Sequence, residues 1–65
     1  MNIYMAVYSF DRYGFELIGI FTNFYMAKVA CDECTDGEEA IVFSVELNKV
    51  QDRFSYKEIY RRVEQ

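Results

Sequence analysis

Histidine and proline are both absent from this 65-residue chain. Histidine is the side chain that most readily titrates near neutral pH, and it is the commonest protein ligand of transition metals. Its absence argues against acid–base catalysis, and no nucleophile with a matching base can be named in the sequence. We therefore expect a protein that is not an enzyme and that uses no cofactor and no metal ion.

A long uncharged apolar run is also lacking. The longest apolar stretch, from Met5 to Ile20, is interrupted by Asp11, Arg12 and Glu16, whereas a membrane span needs about 18 uncharged apolar residues. No basic residue precedes Arg12, so the amino-terminal residues do not resemble a secretory leader. These absences predict a cytoplasmic protein that does not enter a membrane.

Basic residues are scarce in the middle of the chain. The sequence has seven Lys and Arg against eleven Asp and Glu, a net charge of −4, and no basic residue between Lys28 and Lys49. Because contact with a phosphate backbone needs a basic surface, direct nucleic-acid binding is not expected. An acidic surface instead suits solubility or attraction to a basic partner.

Apolar and aromatic side chains, in contrast, are abundant. Hydrophobic residues make up 52% of the chain, which contains six Tyr and six Phe. A domain of this length buries only about 60% of the surface that its unfolded chain exposes. We therefore expect part of the apolar surface to meet a protein partner, either a second copy in a homo-oligomer or another protein.

The hydrophobic pattern predicts one small α+β domain spanning residues 1–65. Alternation predicts strands at Asn2–Phe10, Phe15–Phe21 and Ala40–Leu47. A helix is expected over Phe24–Cys34, capped by Thr22 or Asn23, because its apolar residues recur at three- and four-residue steps. Thr35-Asp36-Gly37 is expected to end this helix, with Gly37 in the left-handed conformation.

Connection rules then predict a three-stranded, mainly antiparallel sheet of order 2-1-3. The first strand is apolar on both faces and should therefore be central, with the helix on one face of the sheet. The predicted inner face of the third strand is formed by Ile41, Phe43, Val45 and Leu47.

The tail supports two interpretations. The spacing of Tyr56, Ile59, Tyr60 and Val63 follows a helical pattern, and Glu58 with Arg62 forms a favourable i, i+4 pair. We therefore predict a second helix. The aromatic-rich segment 54–60 also suits β structure, so an edge strand is the alternative.

The Cys31-Asp32-Glu33-Cys34 motif has the spacing of a redox or metal site. A reactive Cys-x-x-Cys pair lies at a helix N-terminus, where the dipole lowers the thiol pKa, whereas this pair lies at the end of the predicted helix. Zinc would need two more ligands than the pair supplies. We expect both cysteines to be free thiols that pack as small hydrophobic residues.

Tyrosines provide the strongest sequence signal for an interface. Tyrosine is enriched at binding hot spots because it combines a large apolar ring with a hydroxyl group that tolerates water. The predicted partner-binding residues combine tyrosines with an acidic rim: Tyr4, Tyr8, Tyr13, Tyr56, Tyr60, Asp36, Glu38 and Glu39.

Part of the chain also resembles a group of small bacterial and phage ββαβ proteins. The likeness is carried by the runs Ile3–Ser9 and Glu16–Thr22, which includes Glu-Leu-Ile-Gly-Ile-Phe-Thr, and by the following helix with Ala27 and Ala30. It covers about the first half to two-thirds of the chain. The group contributes no catalytic motif, and the residues beyond Asn48 do not fit its pattern.

Composition and resemblance together favour a protein–protein interaction module. The resemblance, with the small size, implies a phage-encoded inhibitor or modulator of a host protein such as a defence factor. The alternative is a small-molecule or nucleotide-binding protein with its site between the sheet and the carboxy-terminal tail. A ligand binder should show an enclosed pocket with convergent polar groups, and an interaction module an exposed aromatic patch.

Overall fold

A computed structural model of the chain describes residues 2–9, 14–47 and 56–63. These residues form, in chain order, β1 (Asn2–Ser9), β2 (Phe15–Phe21), α1 (Phe24–Glu33), β3 (Glu39–Glu46) and β4 (Tyr56–Val63). The strands make one sheet of order β2-β1-β3-β4, in which every neighbouring pair is antiparallel. The α+β class, the order 2-1-3 and the interior position of β1 are confirmed, but the sheet has a fourth strand.

The helix predicted for the tail is wrong, because this segment forms β4 at the edge of the sheet. Its register against β3 shifts between Val42, which faces Tyr60, and Phe43, which faces Glu58. Ile59 is therefore the extra residue of a β-bulge. The bulge resets the alternation, so Tyr56 and Tyr60 lie on opposite faces although they are four positions apart in the chain.

The helix α1 begins as the sequence predicts and ends one residue earlier. The side chain of Asn23, in extended conformation, accepts a hydrogen bond of 3.2 Å from the backbone N–H of Met26. At the other end, the N–H of Cys34 donates to the carbonyl of Ala30 at 3.1 Å. Both contacts satisfy backbone groups that a helix end leaves without an internal partner.

Small side chains form the core between α1 and the sheet. The fully buried residues of this cluster are Ala6, Ala27, Cys31, Ala40 and Val42. The inner face of β3 is therefore made by Ala40 and Val42, and the predicted inner face is wrong. Ile41, Phe43 and Val45 lie on the opposite face, because a closely packed helix leaves room only for the smaller residues of β3.

A second bulge divides the apolar residues of β2 between the two faces. Ala6 of β1 faces Gly19, but Val7 faces Leu17, so Ile18 is the extra residue. Leu17 consequently lies with Ile20 on the face of the sheet away from α1. Strict alternation along a strand would place these two residues, which are three positions apart, on different faces.

The direction of α1 is fixed by contacts at its two ends. Near its start, the ring of Phe24 packs edge-on against Tyr4, with 6.0 Å between the centroids. Near its end, the guanidinium Nε of Arg62 donates to the carbonyl of Cys31 at 3.0 Å. Tyr4 pairs with Phe21, so the start of α1 lies near the end of β2. Arg62 lies in the same cross-strand row as Glu16, so the end of α1 lies near the start of β2. The helix therefore runs back along β2.

The helix is ten residues long. In the described parts of the chain, no helix has the length and apolar character needed to cross a membrane.

We predict that Gly37→Ala destabilises the fold by about 1–3 kcal/mol. Gly37 has a φ of +76°, and a Cβ at this position would lie 2.7 Å from the carbonyl oxygen of Ser9. That oxygen accepts a hydrogen bond of 2.8 Å from the N–H of Glu38, which holds the loop after α1 against β1. Urea unfolding followed by circular dichroism measures the loss.

Gly14→Ala is the matched control for this substitution. Gly14 also has a positive φ, of +133°, but nothing lies within 4 Å of a Cβ built on it. Gly14→Ala should therefore reduce the free energy of unfolding only by the cost of placing an alanine in this backbone conformation. Equal losses in the two variants would show that the close approach of Gly37 to Ser9 contributes nothing to stability.

Candidate functional site

Two of the predicted partner-binding tyrosines lie beneath the helix. Tyr4 and Tyr8 are half-buried on the face of β1 that α1 covers, and both pack against the core cluster. Burial raises the pKa of the Tyr8 hydroxyl, and the neighbouring Asp36 carboxylate raises it further. The rings therefore stabilise the fold, and α1 separates them from a partner on this face.

Tyr60 connects β4 to α1. Its hydroxyl donates a hydrogen bond to the Asp32 carboxylate, which also accepts one of 2.8 Å from the Lys28 ammonium group. The hydrogen bond from Lys28 is the larger cause that lowers the pKa of Asp32, and the bond from Tyr60 adds to it. The same bond to Asp32 raises the pKa of Tyr60. The Lys28 ammonium lies 5.0 Å from the Tyr60 ring centroid, in cation–π distance. Tyr60 thus fixes the helix to the last strand.

Tyr56 lies on the face of the sheet that α1 leaves uncovered. Its ring meets Phe43 edge-on at 5.4 Å, and Phe43 meets Phe15 in the same way at 6.3 Å. These three rings form an aromatic row across the sheet. The structure therefore separates Tyr56 from Tyr4, Tyr8 and Tyr60, while Tyr13 lies outside the described residues.

The acidic rim is only partly displayed to solvent. Asp36 and Glu38 are exposed in the loop between α1 and β3. Glu39, however, accepts a hydrogen bond of 2.9 Å from Arg61, whose guanidinium also contacts Glu58 at 2.5 Å. Those carboxylates raise the pKa of Arg61 and keep it charged at all accessible pH values. Glu39 is therefore part of a cross-strand ion pair.

The cysteines are free thiols with different surroundings. Cys31 is fully buried, and burial followed by the charge of Asp32 raises its pKa to about 11. Cys34 is half-buried, with its sulfur 3.6 Å from the carbonyl oxygen of Asp36. Within residues 2–9, 14–47 and 56–63, no three His, Cys, Asp or Glu side chains are grouped so that they could hold a metal ion. The pair resembles packed small residues more than a reactive dithiol.

The most exposed apolar residues lie elsewhere, on β2 and the adjoining flank of α1. Phe15, Leu17 and Ile20 are 57–58% exposed on β2, and Tyr25 and Met26 are 70% and 56% exposed on α1. We call these five residues the β2–α1 surface. Phe15, Leu17 and Ile20 lie on the face of the sheet away from α1, so the five residues flank the outer edge of β2 from both faces of the sheet. Exposed large hydrophobic residues are common singly, but a group of them along one edge indicates an interaction site.

A solvent-open apolar groove of about 320 Å³ runs along the α1 part of this surface. Its walls are Phe21, Tyr25, Met26, Val29, Ala30 and Glu33. The groove lies on the flank of α1 opposite Lys28 and Asp32, the residues that face Tyr60. It can accept apolar side chains, but it offers a single charged group, the Glu33 carboxylate.

A second cleft is more polar and smaller. It has a volume of about 200 Å³ and is lined by Asn2, Ser44, Glu46 and Lys57, at the opposite end of the sheet from the loop that follows α1. Its position between sheet and tail matches the alternative ligand site that the sequence suggests. The lining side chains belong to adjacent strands, however, and do not enclose a small molecule.

The sequence predictions do not include the β2–α1 surface, because they select partner-binding residues by residue type, chiefly tyrosine, and not by the face that each residue occupies. Tyr25 is the one tyrosine of the six that is not among the predicted partner-binding residues. The available signal was a second apolar stripe on α1, formed by Tyr25, Met26 and Val29, next to a strand with apolar residues on both faces. An amphipathic helix that packs on one sheet needs only its buried stripe, so a second stripe indicates a further contact.

Comparisons with protein-family models, with curated proteins and with solved structures found no match to this chain.

We predict that iodoacetamide at pH 8 alkylates Cys34 at least tenfold faster than Cys31 in the folded protein. The thiolate is the reactive form, and Cys31 is both buried and raised in pKa. In 8 M urea the two rates should converge. Peptide mass spectrometry separates the two sites, and comparable rates in the folded state would contradict the buried position of Cys31.

The same shift predicts a pH effect on stability. The folded-state pKa of Cys31, about 11, lies above the ordinary value of 9.0 for a cysteine thiol. The unfolded chain therefore releases the thiol proton first, and stability falls as pH rises from about 9 towards 11. Cys31→Ala should flatten this fall in the free energy of unfolding.

We predict that Tyr60→Phe destabilises the protein by about 0.5–1.5 kcal/mol, the usual net contribution of one hydrogen bond. The substitution keeps the ring packed against Phe24, at 6.5 Å between centroids, and removes only the hydroxyl that donates to Asp32. Tyr56→Phe on the other face is the control and should be near neutral. A neutral Tyr60→Phe would show that the hydroxyl does not help to hold α1 on β4.

Proposed function

We propose that this protein is a protein–protein interaction module that binds its partner through the β2–α1 surface. The observation that supports the proposal is the concentration of exposed apolar side chains there, with five large residues more than half exposed on two adjoining elements. Burial of apolar surface is the dominant favourable contribution to most protein–protein association.

The shape of this surface favours a protein partner over a small molecule. Ligand sites are concave and enclose most of the ligand, with a few polar groups that fix its orientation. The groove beside α1 is open and almost wholly apolar, with Glu33 as its one charged wall. A partner that brings its own extended surface of apolar side chains fits this geometry better.

The polar character of the remaining surface supports the same function. Near the opposite edge of the sheet, the charges of Lys28, Asp32, Glu39, Glu58 and Arg61 take part in ion pairs within the chain. These pairs make that edge charged, although Ile59 and Val63 of β4 are 42% and 54% exposed, whereas the five residues of the β2–α1 surface are all uncharged. The phage-encoded modulator suggested by the resemblance would use this surface to bind a host protein.

Site-specific photocrosslinking in the cells that naturally produce the protein tests this proposal. We would replace Tyr25 with p-benzoylphenylalanine, irradiate the cells and identify the adducts by mass spectrometry. Tyr25 is 70% exposed, so the substitution preserves the core. The expected result is a discrete protein adduct, either with a second copy or with another protein.

Tyr56 is the matched control position, because it is a ring on the far edge strand that is 38% exposed. The same probe there should give little adduct. An adduct at Tyr56 with none at Tyr25 would place the interface on the other edge, and no adduct at either position would overturn the proposal.

A further inference from the structure

The outer edge of β2 carries little that would prevent another strand from pairing with it. No described strand pairs with this edge. The segment Phe15–Phe21 contains no Lys, Arg or Pro, and its single charge is Glu16. An edge strand has unpaired N–H and C=O groups, and proteins usually protect such edges with charged side chains or proline. The β2 edge lacks that protection apart from its bulge.

The opposite edge shows the usual protection. Four of the eight residues of β4 are charged: Lys57, Glu58, Arg61 and Arg62. Both edge strands contain one bulge, so the bulge does not distinguish them. The difference between the edges is charge, and it marks β2 as the edge that accepts a partner strand.

We propose that the partner of the β2–α1 surface is a second copy of this chain, whose β2 pairs antiparallel with β2 across a two-fold axis. The two sheets then form one continuous eight-stranded sheet with both helices on the same face. This inference rests on the proposed interaction function and specifies its partner. A two-fold axis is the commonest symmetry of protein dimers, and it brings the same patch of both copies together.

The charges on the surface are arranged so that such pairing is self-complementary. Glu16 and Glu33 lie near the same end of the molecule, because α1 runs back along β2. Antiparallel pairing places this acidic end beside the start of the partner's α1. The first turn of α1 contains no acidic residue, and its free N–H groups give it partial positive charge. Each acidic end therefore meets a region of opposite polarity.

The groove supplies the contacts that backbone pairing alone does not. Ala27 of α1 lies in one buried cluster with Ala6 of β1, and residues of β2 and β3 on either side pack against it, so α1 is centred over β1. Three strand spacings would then separate the two helices, or about 14 Å. That gap is wider than the 8–10 Å at which helices normally pack. The side chains of Tyr25, Met26 and Val29 from both copies would fill it.

Sedimentation equilibrium of the purified full chain tests the inference. We expect the wild-type protein to be a dimer at micromolar concentration. Leu17→Lys on β2 and Met26→Lys on α1 should each raise the dimer dissociation constant at least tenfold. Both side chains are more than half exposed, so the folded monomer should tolerate the changes, which circular dichroism verifies.

Ile59→Lys on β4 is the matched control, because Ile59 is a 42% exposed apolar residue at the bulge of the other edge strand. It should leave the dimer intact. Hydrogen exchange gives a second readout: amides of β2 should be protected in the wild-type dimer and exchange faster in Leu17→Lys.

Three results would overturn the inference. A wild-type protein that is monomeric at millimolar concentration would exclude a second copy as the partner. If the Tyr25 probe then formed an adduct with a different protein in cells, the proposed interaction function would still hold. A dimer weakened by Ile59→Lys and unaffected by Leu17→Lys would place the interface on β4. Assemblies larger than a dimer would exclude the closed two-fold arrangement.

Discussion

The close contact between α1 and the sheet, made through small side chains, is the constraint on which the rest of the structure depends. Ala6, Ala27 and Ala40 are fully buried there, together with the thiol of Cys31. Rings fit only towards the two ends of a helix that lies so close, as those of Tyr4 and Tyr8 do, and the other large side chains of α1 remain outside this contact. Tyr25 and Met26 are therefore exposed on the helix.

The sequence was sufficient to predict the elements with regular periodicity. The bounds of β2, an N-cap at Thr22 or Asn23 and the interior position of β1 follow from local pattern and from connection rules, and the structure has Asn23 as the cap. The bulges do not, because each is set by the register of a neighbouring strand. In β4 the extra residue Ile59 interrupts the alternation of apolar residues, so their spacing in the sequence matches that of a helix. The sequence pattern therefore predicts a helix for the tail.

The candidate site was harder to predict than the fold, because a residue type does not show which face it will occupy. Tyr4 and Tyr8 have the composition of an interface and pack beneath α1. Tyr25 and Met26 were available on a second apolar stripe of the helix, but only the position of α1 over β1 reveals that this stripe faces an edge with little charge. Burial of tyrosine depends on tertiary packing, and a single sequence does not specify that packing.

The position of β4 has a consequence for the growing polypeptide. Residues 2–47 contain β1, β2, α1 and β3, and they leave the ribosome before residues 56–63. Until β4 pairs with β3, the second edge of the nascent sheet is β3 and not the charged β4, and this edge exposes the apolar strand with Ile41 and Val42. Unpaired apolar edges are where chains exchange strands and aggregate. The charged β4 covers the apolar edge of β3 only after residues 56–63 have been translated, and a chain that stops before Tyr56 would leave that edge exposed.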